Sequence, residues 1–456
     1  MASLHRSSGF VVRAPRGSWI EGSPRVPPSS PAAAPVAAGR QRPAFPWPML
    51  VVALACIVAV CATDPLASSG AASGNSSQRS DGIQYLPLPA DPASGGRLFI
   101  AKGCIRCHAV RGEGGSVGPD LGRSAFGLNL TEIAAAMWNH APAMSRQMEL
   151  LGIERPQFAA GEMQALVAFL YYLNFSDPAG DPERGRAVFE SKACTRCHAV
   201  AGRGGRHGPS LDRLLQEYVS PVVLAQRMWN HGPQMLDTMR RLGIEVPTLS
   251  SGDVADLVAY LRATTAVGPG GRSYRTPGDP ARGELAFRSK GCSGCHAVWG
   301  RGGGIGPDLA DADLGTSVTE IAARMWNHWP QMWRRMQQER IARPLFTEAE
   351  MTDLLSYLYS IHYGGKAGDR RRGAALFDEK GCHTCHAVGG VGGSVGPDLA
   401  RSAAAQSLNE GVRLLWNHAA AMQKKMRGRG VIWPELNGDE IRDMLTYLRA
   451  SRVAKH

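Results

Sequence analysis

The sequence predicts an all-α chain built from four tandem helical repeats, and three observations lead there. The first is a five-residue pattern, Cys-x-x-Cys-His, that occurs at residues 104–108, 194–198, 292–296 and 382–386. The second is its surroundings: the copies are 90, 98 and 90 residues apart, and each is followed by the same series of landmarks. The third is the spacing of apolar residues, which recur with a helical period in stretches such as 163–170 and show no strand-like alternation.

Taken in order, residues 1–48 are rich in Pro, Ser, Ala and Arg, with six arginines against the single acid Glu21, and are expected to be disordered. Residues 49–63 form a signal or anchor segment, in which 49–62 are 14 consecutive apolar residues. Basic residues before it and few charges after it place the N-terminus in the cytoplasm and the bulk of the chain outside. Its length suits a signal-peptide core of about 7–15 residues, and, counted from Ala44 to Thr63, a marginal spanning helix of roughly 20. A cleaved signal and a retained anchor both stay open, and both export the chain. Residues 64–89 read as a Ser/Gly/Ala linker.

The repeats occupy 90–178, 179–276, 277–366 and 367–456, and the eight extra residues of the second fall around 267–273. Each opens with a Gly and a Phe four apart: Gly95/Phe99, Gly185/Phe189, Gly283/Phe287 and Gly373/Phe377. After the cysteine motif comes a glycine-rich loop and a Gly-Pro-x-Leu whose proline stands 11 residues past the His, as Pro119, Pro209, Pro307 and Pro397. A helix with Trp-Asn-His and two methionines follows, then a short loop and a last amphipathic helix. Thr347 with Glu350 and Asn437 with Glu440 are spaced to cap that last helix in the third and fourth repeats. Units this small and glycine-rich have little core of their own and need a staple.

The motif itself supplies one. Two thiols three residues apart on a helical turn reach the two vinyl groups along one edge of a porphyrin, and the next residue carries its imidazole beneath the iron. The pairs are Cys104/Cys107, Cys194/Cys197, Cys292/Cys295 and Cys382/Cys385, with His108, His198, His296 and His386 as proximal ligands. The cofactor is therefore expected to be four covalently bound haem c groups. Structural zinc requires four ligands around one ion, and no second cysteine pair lies near any of these. Of ten cysteines only Cys56 and Cys61 remain, both in the apolar segment, so no disulfide framework is expected.

With these landmarks the repeats resemble class I cytochromes c over residues 90–456. The resemblance implies that the loop prolines accept the Nδ1 proton of the proximal His through their carbonyls. It also implies that Gly95 and Phe99 meet Phe169, with Tyr260, Tyr357 and Tyr447 as the counterparts of Phe169. The family's methionine, matched through Asn139, falls on Met144, and likewise on Met235, Met332 and Met422. His stands where the family carries Gly, and about seven extra residues precede the last helix, so Met148, Met239, Met336 and Met426 stay open as sixth ligands. His140, His231, His328 and His418 stay open too. Trp138, Trp229, Trp326 and Trp416 are expected to pack against haem, and His207, His362 and His383 to be exposed.

An iron ligated on both sides has no open position, which points to electron transfer and away from enzymatic catalysis. The expected function is a tetrahaem c-type cytochrome, passing single electrons between donor and acceptor redox proteins on the extracytoplasmic side of the membrane, with no small-molecule substrate. The alternative is a haem enzyme of peroxidase or nitrogen-oxide reductase type with one displaceable ligand. The net charge of +12 is uneven. Lys and Arg against Asp and Glu number 7 to 8, 13 to 9, 10 to 10 and 14 to 9 in the four repeats. Without a single basic stripe or a binding motif, nucleic acid is not an expected partner. The charge suits an acidic redox partner or anionic lipid, with the fourth repeat the expected place.

Overall fold

The computed structural model describes residues 92–122, 129–176, 179–214, 219–264 and 277–452. The readings of 1–48, 49–63, 64–89 and the extra residues around 267–273 lie outside the described residues. Among the described residues no helix is long and apolar enough to cross a membrane.

The chain is mostly helical. The first repeat holds α1 (Pro92–Ala101), α2 (Leu130–Leu150) and α3 (Glu162–Tyr172), and the second holds α4 (Pro182–Ser191), a short α5 (Leu211–Leu214), α6 (Pro221–Arg241) and α7 (Ser251–Thr264). The third has α8 (Pro280–Ser289), α9 (Val318–Gln338) and α10 (Glu348–Ser360), and the fourth α11 (Arg370–Glu379), α12 (Leu408–Arg427) and α13 (Gly438–Ala450). The long middle helices start at Asn129, Ser220, Ser317 and Ser407, each accepting the backbone N–H three residues on. Both capping boxes expected from the sequence are closed, at Thr347/Glu350 and at Asn437/Glu440.

One expectation needs correction. The repeats do contain strands: antiparallel pairs of two residues follow each cysteine motif, β1–β2 (Ala109–Val110, Glu113–Gly114), β3–β4 (Ala199–Val200, Arg203–Gly204), β5–β6 (Ala297–Val298, Arg301–Gly302) and β7–β8 (Ala387–Val388, Val391–Gly392). Two residues are too few to show a period of two. The signal lies in the turn, where both central residues have positive φ, as in Arg111 (55°) and Gly112 (88°), the backbone of a tight hairpin that favours Gly.

Within each repeat the first and last helices cross where the sequence pairs Gly with an aromatic. A Cβ at Gly95, Gly185, Gly283 or Gly373 would run into the carbonyl of Ala165, Asp256, Asp353 or Asp443 on the last helix. Beside each crossing the rings Phe99–Phe169, Phe189–Tyr260, Phe287–Tyr357 and Phe377–Tyr447 stand 5.5–5.8 Å apart.

The repeats are joined across sequence, and the pairs are first with fourth and second with third. The middle helices α2 and α12 pack together, as do α6 and α9. Trp138 Nε1 donates to Pro434 O and Trp416 Nε1 to Pro156 O; Trp229 Nε1 donates to Pro344 O and Trp326 Nε1 to Pro247 O, all at 2.7–2.9 Å. Beside each Trp an Asn closes a two-bond clamp on the same loop. Asn139 holds the backbone N–H and C=O of Leu436, Asn417 those of Phe158, Asn230 those of Phe346 and Asn327 those of Leu249, at 2.8–3.1 Å. Prolines inside these helices explain a further contact. Pro142 and Pro233 cannot bond the carbonyls of Trp138 and Trp229, four residues back, and Trp433 Nε1 (3.3 Å) and Arg343 Nη1 (3.2 Å) occupy those carbonyls instead.

The first and third repeats meet about a local twofold. Tyr171 Oη donates to Tyr359 O and Tyr359 Oη to Tyr171 O, both at 2.7 Å, while Leu130 N–H reaches Tyr363 O and Val318 N–H reaches Phe175 O, both at 2.9 Å. Such exchange of identical contacts is the mark of a self-complementary interface. Contacts therefore run 4–1–3–2, not 1–2–3–4, and the buried residues form one continuous core instead of four separate ones.

The two helix pairs are fitted differently at the same point. Ala141 and Ala419, facing each other's helix in the 1·4 pair, correspond to Gly232 and Trp329 in the 2·3 pair, where the indole fills the space above the glycine and lies 4.4 Å from Trp229. A Cβ on Gly232 would overlap Trp329 Nε1. Gly232→Ala should therefore destabilise the chain by about 1–3 kcal/mol, and because Trp329→Ala removes the same clash, the double variant should lose less than the sum of the two single losses; thermal unfolding of the single and double variants checks both.

Candidate functional site

Each cysteine motif starts one residue after a left-handed position, Gly103, Ala193, Gly291 or Gly381, with φ from 60° to 84°. The first three motif residues then form one 3-10 turn, Cys104–Arg106 and its equivalents. Residues three apart on such a turn share a side, so it brings the two thiols of a pair together. No disulfide joins them, and all eight are half-buried.

The two thiols of a pair nevertheless differ in their surroundings. Cys104, Cys194, Cys292 and Cys382 pack against the core, and burial pushes each of these thiols up to about 11. Cys107, Cys197, Cys295 and Cys385 are not among the residues packed on that core. The reason is their place: each closes the 3-10 turn, donating its N–H to the carbonyl of the first cysteine at 3.1–3.2 Å. The carbonyls of Cys107, Cys197, Cys295 and Cys385 in turn accept the N–H of Gly118, Gly208, Gly306 and Gly396 at 2.8 Å. Backbone bonds therefore hold the second thiol where packing holds the first. The first sulfur has an apolar setting suited to a thioether, and the second stands at the open edge of the turn. Among the described residues no three His, Cys, Asp or Glu side chains gather around a point that could hold a metal ion, so a closed zinc site is not present there.

The motif histidines are oriented by backbone. His108, His198, His296 and His386 each place Nδ1 at 2.9–3.1 Å from the carbonyl of Pro119, Pro209, Pro307 and Pro397. With Nδ1 donating, Nε2 is the nitrogen left to bind iron, since the bond at one ring nitrogen sets the role of the other. The glycine before each proline lies against the ring face, and a Cβ at Gly118, Gly208, Gly306 or Gly396 would overlap the imidazole. That is why the loop reads Gly-Pro.

In three repeats an Asp follows the proline and pins the loop to the hairpin turn. Asp120 accepts from the N–H groups of Arg111, Gly112 and Gly122, Asp308 from Trp299, Gly300 and Ala310, and Asp398 from Gly389, Gly390 and Ala400. Burial alone would raise the Asp308 and Asp398 carboxyls, but the three backbone donors outweigh it and hold both below the usual carboxylate range. The second repeat has Ser210 there, whose hydroxyl donates to the Asp212 carboxylate, with Ala199 O farther away at 3.4 Å.

On the middle helix, the near methionines Met144, Met235, Met332 and Met422 are half-buried and all pack against the core. The far methionines Met148, Met239, Met336 and Met426 are half-buried too, but of these only Met336 packs against it. Each far residue sits in the last helical turn, where its carbonyl accepts the N–H of Ile153, Ile244, Ile341 or Val431. His140, His231, His328 and His418 are exposed, with Nδ1 at 2.8–3.1 Å from the carbonyl one turn back on their own helix.

The indole N–H groups of Trp138, Trp229, Trp326 and Trp416 are spent on the paired repeat, and their rings are buried between repeats. Trp138 stacks on Trp433 at 4.1 Å and Trp416 lies under the Arg155 guanidinium at 3.9 Å. A third methionine, one residue before the Trp, escaped the sequence reading: Met228 and Met325 line an apolar cleft between α6 and α9, and Met137 lines another between α2 and α12. Leu415 holds that place in the fourth repeat, which hid the pattern. Of His207, His362 and His383 only His207 is exposed. His362 is half-buried with Nε2 at 3.2 Å from Ala310 O, and His383 is half-buried between Asp378 and Phe377.

The family model for cytochrome c matches residues 182–265, 280–362 and 371–452, more than half of the chain. The chain belongs to the cytochrome c family. Its cytochrome domains are haem-binding electron-transfer units, and the residues just described fit that group: two half-buried thiols on one turn, an imidazole with its iron-facing nitrogen left over, and a thioether-bearing helix beside the core. The first repeat is outside the matched stretches, yet it carries the same turn, the same His–Pro bond and the same Met positions. No curated protein and no solved structure matches the chain.

Two expected outcomes follow from this cytochrome's loops. Ala193 is the one non-glycine among the four left-handed residues that start the motifs. Ala193→Gly should stabilise the second repeat by roughly 1 kcal/mol, seen as a higher midpoint in denaturant. Asp398 has a depressed pKa, so its contribution is present above the ordinary carboxylate range and is lost as pH falls through its folded value. The melting temperature of Asp398→Asn should accordingly fall less steeply than that of the parent between about pH 4 and pH 2.

Proposed function

We propose that the chain is a tetrahaem c-type cytochrome that passes single electrons between redox proteins outside the cytoplasmic membrane. The observation that carries this reading is the proximal arrangement, repeated four times: paired thiols on a 3-10 turn followed by a His whose Nδ1 is held by a proline carbonyl. Haem c, when bound, supplies a one-electron couple at iron.

The chain's own residues do the rest. Cys104/Cys107, Cys194/Cys197, Cys292/Cys295 and Cys382/Cys385 anchor the group. His108, His198, His296 and His386 present Nε2, and the Pro carbonyl on Nδ1 fixes ring orientation and tautomer. Met144, Met235, Met332 and Met422 are assigned as sixth ligands, because all four are seated against the core, whereas of their far neighbours only Met336 is. Thioether ligation opposite His favours a higher potential. The shared Met positions in every repeat support electron transfer over the haem-enzyme reading, in which one repeat would differ. Basic residues ahead of 49–63 support export, by signal or anchor, to the extracytoplasmic side.

Pyridine haemochrome analysis of the purified chain should give four covalent haems per polypeptide, and the oxidised spectrum should carry the weak sulfur-to-ferric charge-transfer band. Met422→Leu should remove about a quarter of that band, whereas Met426→Leu should leave it unchanged. Fewer than four haems would sink the tetrahaem reading, and the opposite result with the two methionines would reassign the ligand.

A further inference from the structure

We infer that the fourth repeat is a port at which an acidic one-electron carrier protein docks on Lys424, Lys425, Arg427 and Arg429, and that electrons pass on from it to the first repeat and not to the third. This rests on the electron-transfer reading above.

The port is argued from a difference among otherwise matching segments. Residues 424–432, at the end of α12, carry four cations and no acid. The same segment holds Arg146 with Glu149 and Glu154 in the first repeat, Asp237 and Glu245 with Arg240 and Arg241 in the second, and Arg334, Arg335 and Arg340 with Glu339 in the third. All four cations of the fourth repeat are exposed and form no ion pair among the described residues. Beside them Ile432 is 87% exposed and Val431 38%. A small apolar spot rimmed by unpaired positive charge matches a protein interface that captures an acidic partner by long-range attraction. A membrane surface would instead call for a broad apolar helix face, and only these two residues are offered. The patch lies one turn beyond Met422, so a partner seated there comes close to the distal side of this repeat.

The route follows from the packing. α12 and α13 lie on α2, and Trp416 and Asn417 are bonded to Pro156 and Phe158 of the first repeat. The first repeat then meets the third through Tyr171 and Tyr359. In space the fourth and second repeats, with 14 against 9 and 13 against 9 charges, are the ends, and the near-neutral first and third are the middle. Charge sits where partners have access.

The test uses the full haem-loaded chain and a reduced plant-type ferredoxin as the acidic probe. One electron leaves the ferredoxin cluster and reduces one ferric iron of the chain; no atom or proton moves. Reversing the patch (Lys424→Glu, Lys425→Glu, Arg427→Glu, Arg429→Glu) should weaken ferredoxin binding in calorimetric titration and lower the second-order reduction rate by about tenfold or more at low salt. The extent of reduction by excess dithionite should stay unchanged. Reversing Arg334→Glu and Arg335→Glu in the third repeat should do neither. An equal loss in both variants would overturn the port, as would ferredoxin binding unchanged by the reversal while binding to phosphatidylglycerol vesicles is lost. For the route, Trp416→Phe with Asn417→Ala should slow redistribution of an electron delivered to the fourth repeat, whereas Trp229→Phe with Asn230→Ala should leave that first step unaltered. Redistribution indifferent to the Trp416 change overturns the order; the milder Asn417→Ala alone serves if the double variant loses haem. A chain without covalent haem sinks the electron-transfer reading itself, while a loaded chain indifferent to the charge reversal sinks only this inference.

Discussion

The hydrogen bond from the Trp of each Trp-Asn-His to a proline carbonyl of another repeat is the constraint on which the assembly turns. A buried indole N–H without a partner costs on the order of 1–3 kcal/mol, so Trp138, Trp229, Trp326 and Trp416 each require a particular loop in a particular place. The adjacent Asn makes that demand geometric, because its amide can satisfy one backbone N–H and one C=O only when the loop strand runs past it in register. Helix, loop and partner are thereby fixed together. The helix-internal prolines belong to the same device: they free the carbonyls of Trp138 and Trp229, and a side chain from the paired repeat takes each one. What looks like a defect inside α2 and α6 is a socket for the neighbouring repeat.

Pairing of this kind answers the problem that small glycine-rich units face. The proximal half of each repeat is mostly tight backbone, a hairpin, a 3-10 turn and a Gly-Pro loop, chosen to let a large flat group approach the main chain. Little apolar volume is left to close a core there. Packing middle helix on middle helix, and one terminal-helix tyrosine on another, supplies the missing burial from outside the repeat. Among the described residues the four repeats share one continuous buried core.

Much of the local structure was legible from residues alone. The spacing of Cys, His and Pro marked the proximal site, the Gly and Phe four apart marked the crossing of first and last helices, and Thr347 and Asn437 marked helix starts. All of these act over about 70 residues or fewer within one repeat. The hairpins were not legible, because two-residue strands have no period to detect. Nor was the difference between Cys104 and Cys107, since spacing says that two thiols share a turn and not which of them faces the core. The partner of each Trp was not legible either, since Pro434 lies 296 residues from Trp138 and nothing in the linear order distinguishes it from Pro156, the equivalent proline of the same repeat. The third methionine was hidden by a single exception, Leu415. Sequence identity among repeats shows which residues share a role; it does not say which repeat meets which.

That last step is settled by shape and charge in combination. The 1·4 pair sets Ala141 against Ala419, and the 2·3 pair sets Gly232 against Trp329. Exchanging partners would put an indole against alanine in one crossing and leave a glycine against alanine in the other, one overfilled and one hollow, and close-packed interiors penalise both. The loops discriminate in the same sense: Trp433 stacks on Trp138 and Arg155 on Trp416, whereas the second repeat offers only Val246 to the third. Four units that share a motif can thus be told apart by a handful of side chains at their contacts. The order 4–1–3–2 is a consequence of those few volumes, and any electron path through the molecule inherits it.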